Sequence, residues 1–314
     1  MKTALCFCPD LAFFRPAIYA AASLICAGDA GAYDIFIVCE AEDVPPGFDQ
    51  LDPQIKQHIQ ILRVDFAHLV DGLQGRGRFP KTIFRRLFLD AVLPETYERI
   101  VYLDADTKIA RAGLSRLTTL DFGDKPFAAA LDMIYLLQFR EDALGRRFEK
   151  HRRALGLEAA TPYCNSGLLA FDRKYWREHR VTARVIETLQ NNPDRFAFPE
   201  QDALNHLFAG EFAFLSPRYN FMGDFFLLDL ETKFEPIVLH FVNAPKPWSF
   251  SQWRGEARFA RDYQQWFAAS PWPDWPSVTT LRTERNLRPR RTIARKNFAE
   301  RLMAFLARQD FVDA

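Results

Sequence analysis

Short apolar runs alternate with segments of helical periodicity through the first half of the chain. We predict strands at residues 3–8, 34–40, 60–65, 99–103 and 127–131, and helices at residues 13–27 and 81–92. Strands separated by helices are typical of βαβ units. The pattern therefore predicts an α/β fold with a mainly parallel sheet flanked by helices.

The second half continues this alternation and then changes character. Strands are predicted at residues 164–171 and 236–241, and helices at residues 172–191 and 200–208. Five of the six tryptophans lie between Trp248 and Trp275, and residues 288–308 have the pattern of a basic amphipathic helix. We therefore predict an α/β domain over residues 1–250 and a helical, aromatic and basic C-terminal extension over residues 251–314.

The 314-residue chain is close to electrically neutral, with 41 Lys and Arg against 40 Asp and Glu. This balance gives no reason to expect a nucleic-acid partner. Basic charge is concentrated near the C-terminus, where residues 282–308 carry nine Lys or Arg and two Glu. A basic amphipathic helix at residues 288–308 is typical of segments that lie on anionic membrane surfaces. A solvated charge run and a helix that binds a protein partner are the alternatives.

Cysteines and apolar run lengths bear on the cellular compartment. The chain has five cysteines, an odd number, and four of them lie in the first 39 residues within apolar runs. Free thiols in such runs behave as small core side chains, which favours a reducing compartment. No run approaches the roughly 18 apolar residues of a membrane span, and the N-terminus lacks the pattern of a secretory leader. We expect a cytoplasmic protein, peripheral on the inner face of the membrane if the basic helix binds there.

Two aspartates separated by one residue follow the predicted strand at residues 99–103. Asp104 and Asp106 would lie at the carboxyl edge of the sheet, where open α/β sheets bind ligands. Neighbouring carboxylates repel one another unless a cation lies between them, and oxygen ligands suit Mg²⁺ or Mn²⁺. This D-x-D pattern indicates either a metal site or a solvated turn after a strand.

A second strand end adds two candidate side chains. His240 lies near the end of the predicted strand at residues 236–241, and Lys246 follows in the next loop. An imidazole can ligate a metal, and an ammonium group can contact phosphate oxygens. The alternatives are a core histidine and a surface lysine.

Two further polar segments lie where predicted elements begin. Asn165 and Gly167 enter the strand at residues 164–171, and a glycine there lets the backbone pass close to a ligand. Gln201 stands between two acids at the start of the helix at residues 200–208. Acids are also favoured at that position by the helix dipole alone.

In this order and spacing, the four segments resemble those of the family 8 glycosyltransferases, the glycogenin and lipopolysaccharide galactosyltransferase type. The resemblance covers about residues 1–275. It implies a GT-A fold, a UDP-sugar donor, a divalent cation (Mn²⁺ or Mg²⁺) and transfer with retention at the anomeric carbon. The implied function is transfer of a hexose, glucose or galactose, to a hydroxyl of a glycan or lipid-linked saccharide, as in lipopolysaccharide biosynthesis.

The resemblance implies roles for residues that bind the cation and the nucleotide. The metal ligands would be Asp104, Asp106 and His240. Lys246 would contact the diphosphate, with Asn243 beside it. Asp104 would also lie near the ribose, and Asp10 would bind the uracil.

Four more residues are implied to lie around the transferring sugar, namely Arg86, Asp132, Asn165 and Gln201. Gln201 would be nearest to the anomeric carbon. A neutral amide is a very weak nucleophile, so the sequence favours front-face attack over a covalent glycosyl intermediate. Each residue also has a plain structural interpretation: a helix-surface charge for Arg86, a turn acid for Asp132, a backbone contact for Asn165, and caps or turns for Gln201 and Asp10.

Departures from the family pattern leave other functions open. Glu200 stands where the family usually has Asp, Asn243 stands at a common Gly position, and Ala12 replaces a polar residue. A catalytically degenerate protein that binds nucleotide sugar is therefore an alternative. A haloacid-dehalogenase-type phosphatase is a weaker one, because Lys108 stands where that class has Thr or Val. A sugar-phosphate nucleotidyltransferase is also possible, but this sequence lacks the Gly-rich loop of that class.

Overall fold

The computed structural model of the protein describes residues 2–77, 79–249, 258–275 and 289–313, with the backbone alone over residues 289–293. The strands are β1 (Thr3–Phe7), β2 (Asp34–Cys39), β3 (Ile59–Arg63), β4 (Arg99–Leu103), β5 (Thr107–Ile109), β6 (Ala128–Ala130), β7 (Leu168–Asp172), β8 (Ala213–Leu215), β9 (Phe221–Met222) and β10 (Val238–His240).

The α-helices are α1 (Leu11–Cys26), α2 (Pro53–Lys56), α3 (Leu89–Val92), α4 (Met133–Leu136), α5 (Ala143–Ala154), α6 (Arg173–Glu178), α7 (Val181–Asn191), α8 (Pro199–Phe208), α9 (Asp224–Leu227), α10 (Glu231–Phe234), α11 (Ala260–Ala268) and α12 (Pro289–Leu306). In the part of the chain that is described, no helix is both long enough and apolar enough to cross a bilayer.

A seven-stranded sheet lies at the centre of the fold, in the order β3-β2-β1-β4-β7-β6-β8. The first four of these strands are parallel, β7 is antiparallel to β4 and β6, and β8 is parallel to β6. Strands β1 and β4 are fully buried, which explains why all their residues after Thr3 and Arg99 are apolar or aromatic. The predicted α/β fold with a mainly parallel sheet is confirmed.

A second sheet of three strands, in the order β5-β10-β9, lies beyond the carboxyl end of β4. In the antiparallel pair of β5 and β10, His240 is opposite Thr107, and the Phe241 N–H donates to the Asp106 carbonyl oxygen at 2.9 Å. This sheet joins the chain just after the aspartate pair to the chain around His240, more than 130 residues later.

Three predicted elements are wrong in part. Residues 81–88 form a 3₁₀ helix, and only Leu89–Val92 is α-helical. Arg85 and Arg86 in this segment are both buried and bonded to other elements, so tertiary contacts override α-helical propensity. The strand predicted at residues 164–171 begins only at Leu168. The Cys164 and Ser166 N–H groups donate instead to side chains of α8, so they are not available to a strand partner.

The third correction concerns the single helix predicted at residues 172–191. The structure has two helices, α6 and α7, with Arg180 between them in the left-handed region at a φ of 51°. Thr182 accepts from the Trp176 indole N–H at 2.8 Å and donates to the Leu87 carbonyl oxygen at 2.5 Å. These contacts stabilise the bend between α6 and α7, and a continuous helix would break them.

The described part of the C-terminal region packs on the rest of the chain. Tyr263 of α11 is fully buried, with its ring 4.1 Å from that of Tyr19. In α12, Phe298, Leu302 and Leu306 are buried and belong to the main apolar core. The predicted basic helix at residues 288–308 is therefore present, but its apolar side faces the protein. The predicted division at residue 250 falls on a residue outside the described part and stays a prediction.

Candidate active site

All ten predicted site residues line one cleft of about 530 Å³. It lies past the carboxyl ends of β1 and β4, between the two sheets and the start of α8. These residues are Asp10, Arg86, Asp104, Asp106, Asp132, Asn165, Gln201, His240, Asn243 and Lys246. The structure therefore brings together side chains from widely separated parts of the sequence.

The two aspartates and His240 converge on one point. The His240 Nε2 atom lies 3.2 Å from an Asp106 carboxylate oxygen (Oδ1) and 3.5 Å from an Asp104 carboxylate oxygen (Oδ2). One ligand atom from each residue lies within 4.8 Å of the other two. The pairing of β5 with β10 produces this convergence, because it places His240 beside Thr107. Two carboxylate oxygens and an imidazole nitrogen form a donor set that suits a divalent cation.

Each of these three residues is held by another group on its remaining polar atom. Arg86 lies 3.0 Å from Asp104 Oδ1, and the Lys246 ammonium lies 2.6 Å from Asp106 Oδ2. The His240 Nδ1 atom lies 2.8 Å from the Asn220 side-chain oxygen. The atoms that stay free of these partners are those that face one another, so the surrounding contacts fit a cation at their centre.

The electrostatics of the acid pair and His240 also favour a cation. Although burial favours the neutral acid, the positive charges of Lys246 and His240 hold the pKa of Asp106 well below its ordinary value. Burial disfavours an imidazolium, yet Asp106 and Asp104 outweigh it and raise the pKa of His240. The two carboxylates therefore stabilise positive charge at this point, whether on His240 or on a bound cation.

Gly167 is required by close packing beside the aspartates and His240. A Cβ atom at this position would lie 2.2 Å from His240 Cε1 and 2.7 Å from Asp104 Oδ2. The Gly167 carbonyl oxygen also accepts from the Asp104 N–H at 2.8 Å. Any larger residue would displace two of the candidate metal ligands, which explains the glycine.

A buried amide and carboxylate network lies on the far side of Gly167. The Asn165 amide donates to Asp132 Oδ2 at 2.6 Å, and the Ser166 N–H donates to Gln201 Oε1 at 3.0 Å. Asp132 also caps α4 by accepting from the Ile134 N–H at 2.6 Å. Burial raises the pKa of Asp132 above its ordinary value, even though these hydrogen bonds oppose the shift. The side chains predicted at the transferring sugar are thus held rigidly together.

Arg86 and Glu200 close the cleft beneath Asp104. The Arg86 guanidinium donates to the Ser166 carbonyl oxygen at 3.0 Å and lies 3.6 Å from Glu200. Burial disfavours its charge, but Asp104, Tyr102 and Glu200 keep its pKa above the ordinary value. Glu200 is itself buried, and this burial raises its pKa. Arg86 is therefore a fixed positive charge inside the cleft, and the structure does not support its interpretation as a helix-surface residue.

The residues predicted at the nucleotide also line the cleft but differ in exposure. Asp10 accepts from the Phe13 N–H at 2.9 Å and so caps α1, which leaves its second carboxylate oxygen outside the cap. Asn243 is exposed, whereas Lys246 is mostly buried against Asp106 and the Phe241 carbonyl oxygen. Asp10 is thus both a cap and a cleft residue.

Several polar residues of the site were not predicted. Asn220 joins His240 to Asn165, and the Tyr163 hydroxyl bonds to both Gln201 and Asp202. Asn220 lies in a short irregular connection before β9, where no motif or periodicity marks it. The buried aromatic Tyr163 has only its place beside the Asn165 segment as a signal.

Comparisons with known proteins agree with this geometry. The family model described as glycosyl transferase family 8 matches residues 6–252. General stress protein A of Bacillus subtilis (strain 168) is 25% identical over 243 residues, which cover 71% of this chain and 74% of that protein. Lipopolysaccharide 1,2-glucosyltransferase of Escherichia coli (strain K12) is 26% identical over 180 residues, which cover 54% of this chain and only 49% of that protein.

Among solved structures, the galactosyltransferase LgtC in complex with donor and acceptor sugar analogs superposes with a TM-score of 0.67 at 20% sequence identity. The superposition covers 89% of this chain and 97% of that chain. Likeness at this identity shows a shared fold, so the predicted GT-A type of fold is confirmed.

Proposed function

The chain belongs to glycosyl transferase family 8, and from that premise we propose that it is a retaining, divalent-metal-dependent hexosyltransferase. The donor in this proposal is a UDP-sugar carrying glucose or galactose, and the acceptor is a hydroxyl of a glycan or lipid-linked saccharide. The observation that carries the proposal is the meeting of Asp104, Asp106 and His240 at one point of a cleft that also holds Lys246. That combination suits a substrate with a diphosphate.

The leaving group of such a reaction is a nucleoside diphosphate, which departs only if its growing negative charge is neutralised. A cation on Asp104, Asp106 and His240, Mn²⁺ or Mg²⁺, would supply Lewis-acid charge to the diphosphate when bound. Lys246 has three N–H donors and uses two of them on Asp106 and the Phe241 carbonyl oxygen. Among the described residues the third has no partner, so Lys246 can bind a phosphate oxygen without leaving Asp106.

Gln201 bears on the route by which retention is achieved. Its side-chain oxygen accepts from the Ser166 N–H, the Ser166 hydroxyl and the Asn165 amide, at 3.0, 3.3 and 3.2 Å. These contacts occupy the lone pairs that a nucleophile would need. We therefore favour front-face attack, in which the departing phosphate takes the acceptor's proton, with Gln201 and Asp132 orienting the sugar. Trapping of a glycosyl adduct on Gln201 or a neighbouring carboxylate would contradict this route.

The same residues are consistent with a second function, a degenerate protein that binds a nucleotide sugar without turning it over. Glu200 is the observation that favours it, because this departure from the family pattern is buried in the cleft beside Arg86. A binder would retain UDP and metal but release no UDP from a sugar donor.

The test is release of UDP from a panel of UDP-sugars with Mn²⁺, with and without EDTA. We expect one sugar nucleotide to be hydrolysed in a metal-dependent way. Asp106→Ala should abolish this activity, whereas Asp121→Ala, which removes an exposed aspartate outside the cleft, should retain it. Tight UDP binding without release from any donor would favour the binder, and absence of UDP binding would refute the proposed donor class.

We also propose contact with an anionic membrane surface through α12. The exposed side chains of Lys296 and Arg301 in α12, and of Arg308 just after it, support it. Because the apolar side of α12 packs on the protein, such contact would be electrostatic and would not involve insertion.

A further inference from the structure

Asn220 lies outside the predicted site, yet it contacts a candidate metal ligand directly. Its side chain is 1% exposed, and its oxygen lies 2.8 Å from the His240 Nδ1 atom. An amide oxygen can only accept a hydrogen bond, so Nδ1 must carry the hydrogen. In a neutral imidazole the lone pair is then on Nε2, the atom that faces Asp104 and Asp106.

The orientation of the Asn220 amide is itself fixed by its other neighbour. The Asn220 nitrogen donates to the Asn165 side-chain oxygen at 2.9 Å. That oxygen also accepts from the Gly167 N–H at 2.9 Å, while the Asn165 nitrogen donates to Asp132. A flipped Asn220 would place its NH₂ group against Nδ1 and its oxygen against another oxygen. The network therefore permits one orientation only, the one in which Asn220 accepts from His240.

We propose that Asn220 is a positioning residue that fixes the tautomer and ring orientation of His240, so that Nε2 is presented to a divalent cation. The proposal rests on the cation site proposed above. Without Asn220, the imidazole can carry its hydrogen on Nε2 or rotate away, and the cation loses its one nitrogen ligand. Such partners of metal-bound histidines typically change metal affinity by about 10–100-fold.

Calorimetric titration of the UDP-bound protein with Ni²⁺ and with Mg²⁺ tests this. Ni²⁺ favours imidazole ligands, whereas Mg²⁺ favours oxygen ligands. We expect Asn220→Ala to weaken Ni²⁺ binding by about 10–100-fold and to leave Mg²⁺ binding little changed. Asn220→Asp retains an oxygen acceptor for Nδ1 but places its second oxygen against the Asn165 side-chain oxygen, so it should recover only part of the Ni²⁺ affinity. An equal loss for both ions in Asn220→Ala, or unchanged Ni²⁺ affinity, would overturn the proposal.

A double-mutant cycle separates this proposal from the one on which it rests. In His240→Ala, the further change Asn220→Ala should cost no additional Ni²⁺ affinity, because the proposed effect of Asn220 on the metal passes through His240. An additional loss would overturn the positioning role. If His240→Ala itself binds Ni²⁺ like the wild type, the cation site is refuted.

The matched control is Asn205→Ala. Asn205 is also a buried asparagine, but it bonds to the backbone of Cys164 and Gln201 and not to His240. The change Asn205→Ala should lower thermal stability without changing the ratio of Ni²⁺ to Mg²⁺ affinity. Should Asn220→Ala not fold, ¹⁵N NMR of the wild type with UDP and Mg²⁺ still decides the question. The spectrum is recorded at a pH high enough for the ring to be neutral. A single hydrogen on Nδ1 of His240 then supports the proposal, and a single hydrogen on Nε2 overturns it.

Discussion

Gly167 is the residue whose size sets the spacing of the candidate metal ligands. The change Gly167→Ala would place a methyl group 2.2 Å from His240 Cε1, so the imidazole and Asp104 must move apart. We expect a loss of at least about tenfold in metal affinity and a loss of about 1–3 kcal/mol in the free energy of unfolding. Calorimetry with Mn²⁺ and chemical denaturation measure the two effects.

The control for this change is Gly31→Ala. A methyl group at Gly31 would meet no neighbouring heavy atom within 4 Å, and Gly31 has no positive φ. The metal affinity of this variant should equal that of the wild type. Wild-type metal affinity in Gly167→Ala would show that the three ligands are not held at their observed spacing.

His240 makes the stability of the metal-free protein depend on pH. Burial lowers its pKa, but Asp106 and Asp104 outweigh burial and raise it above the ordinary value of 6.5. The resulting stabilisation is complete below pH 6.5 and is lost as the pH rises through the raised pKa of the folded state. Asp106 is the group that raises the pKa of His240 most, so this pKa should fall in Asp106→Asn. The loss of stability with rising pH should then disappear.

Thermal unfolding in EDTA between pH 6 and pH 8 measures this difference, because the other histidines contribute equally to both proteins. We expect the melting temperature of the wild type to decline more steeply with pH than that of Asp106→Asn. Parallel pH profiles would mean that Asp106 does not control the His240 charge.

At the scale of residues, the sequence predicted which side chains meet in the cleft better than it predicted the hydrogen bonds between them. Asp104 and His240 were found because strand ends place polar side chains at one edge of a sheet. Asn220 was not predicted as a site residue, because it contacts His240 only once β9 and β10 pair. The sequence also could not show that Asp10 both caps α1 and lines the cleft, since a helix cap and a cleft acid look the same in a sequence.

At the scale of elements, the break between α6 and α7 offers a direct test of backbone strain. Arg180 has a φ of 51°, a conformation that costs a residue with a side chain about 1–2 kcal/mol. Arg180→Gly removes that cost but gives the unfolded chain more freedom, so we expect a net gain of about 0.5–1 kcal/mol. Chemical denaturation measures the change.

The matched control is Glu187→Gly. Glu187 is exposed within α7 and pairs with Arg180 at 3.4 Å, so both changes remove the same surface ion pair. A glycine inside a helix should cost about 0.5–1 kcal/mol. If both glycines destabilise the protein equally, Arg180 carries no strain that glycine relieves.

The elements that were predicted well are those whose pattern is local. The strand at residues 99–103 was predicted with its observed bounds, because it is buried along its whole length. The helix predicted at residues 172–191 was wrong at Arg180 because nothing in its periodicity records the contact of Thr182 with the Leu87 carbonyl oxygen. The three-residue strand β5 is too short to produce a pattern of its own.

For the molecule as a whole, the position of α12 leaves only its charged side available to a membrane surface. Phe305 packs 4.8 Å from the ring of Phe139, while Lys296 and Arg308 face solvent. We expect the protein to bind anionic vesicles and to be released in about 1 M salt, where the Debye length is about 3 Å. Vesicle sedimentation measures this.

Charge reversal at Lys296 and Arg308 to Glu should reduce the vesicle binding and leave UDP binding unchanged, because neither residue lines the cleft. Neutral vesicles are the control and should bind little protein. Equal binding to neutral and anionic vesicles would refute an electrostatic contact.

The small sheet of β5, β10 and β9 also has a consequence for how the protein is made. During synthesis Asp104 and Asp106 leave the ribosome long before His240, and until β10 pairs with β5 a nascent chain presents only carboxylate oxygens. Oxygen ligands alone favour hard ions such as Mg²⁺ over nitrogen-preferring ones. At the proposed cation site, closing the small sheet would then add the nitrogen, so the ion preference of that site would be set late, when most of the chain has already been translated.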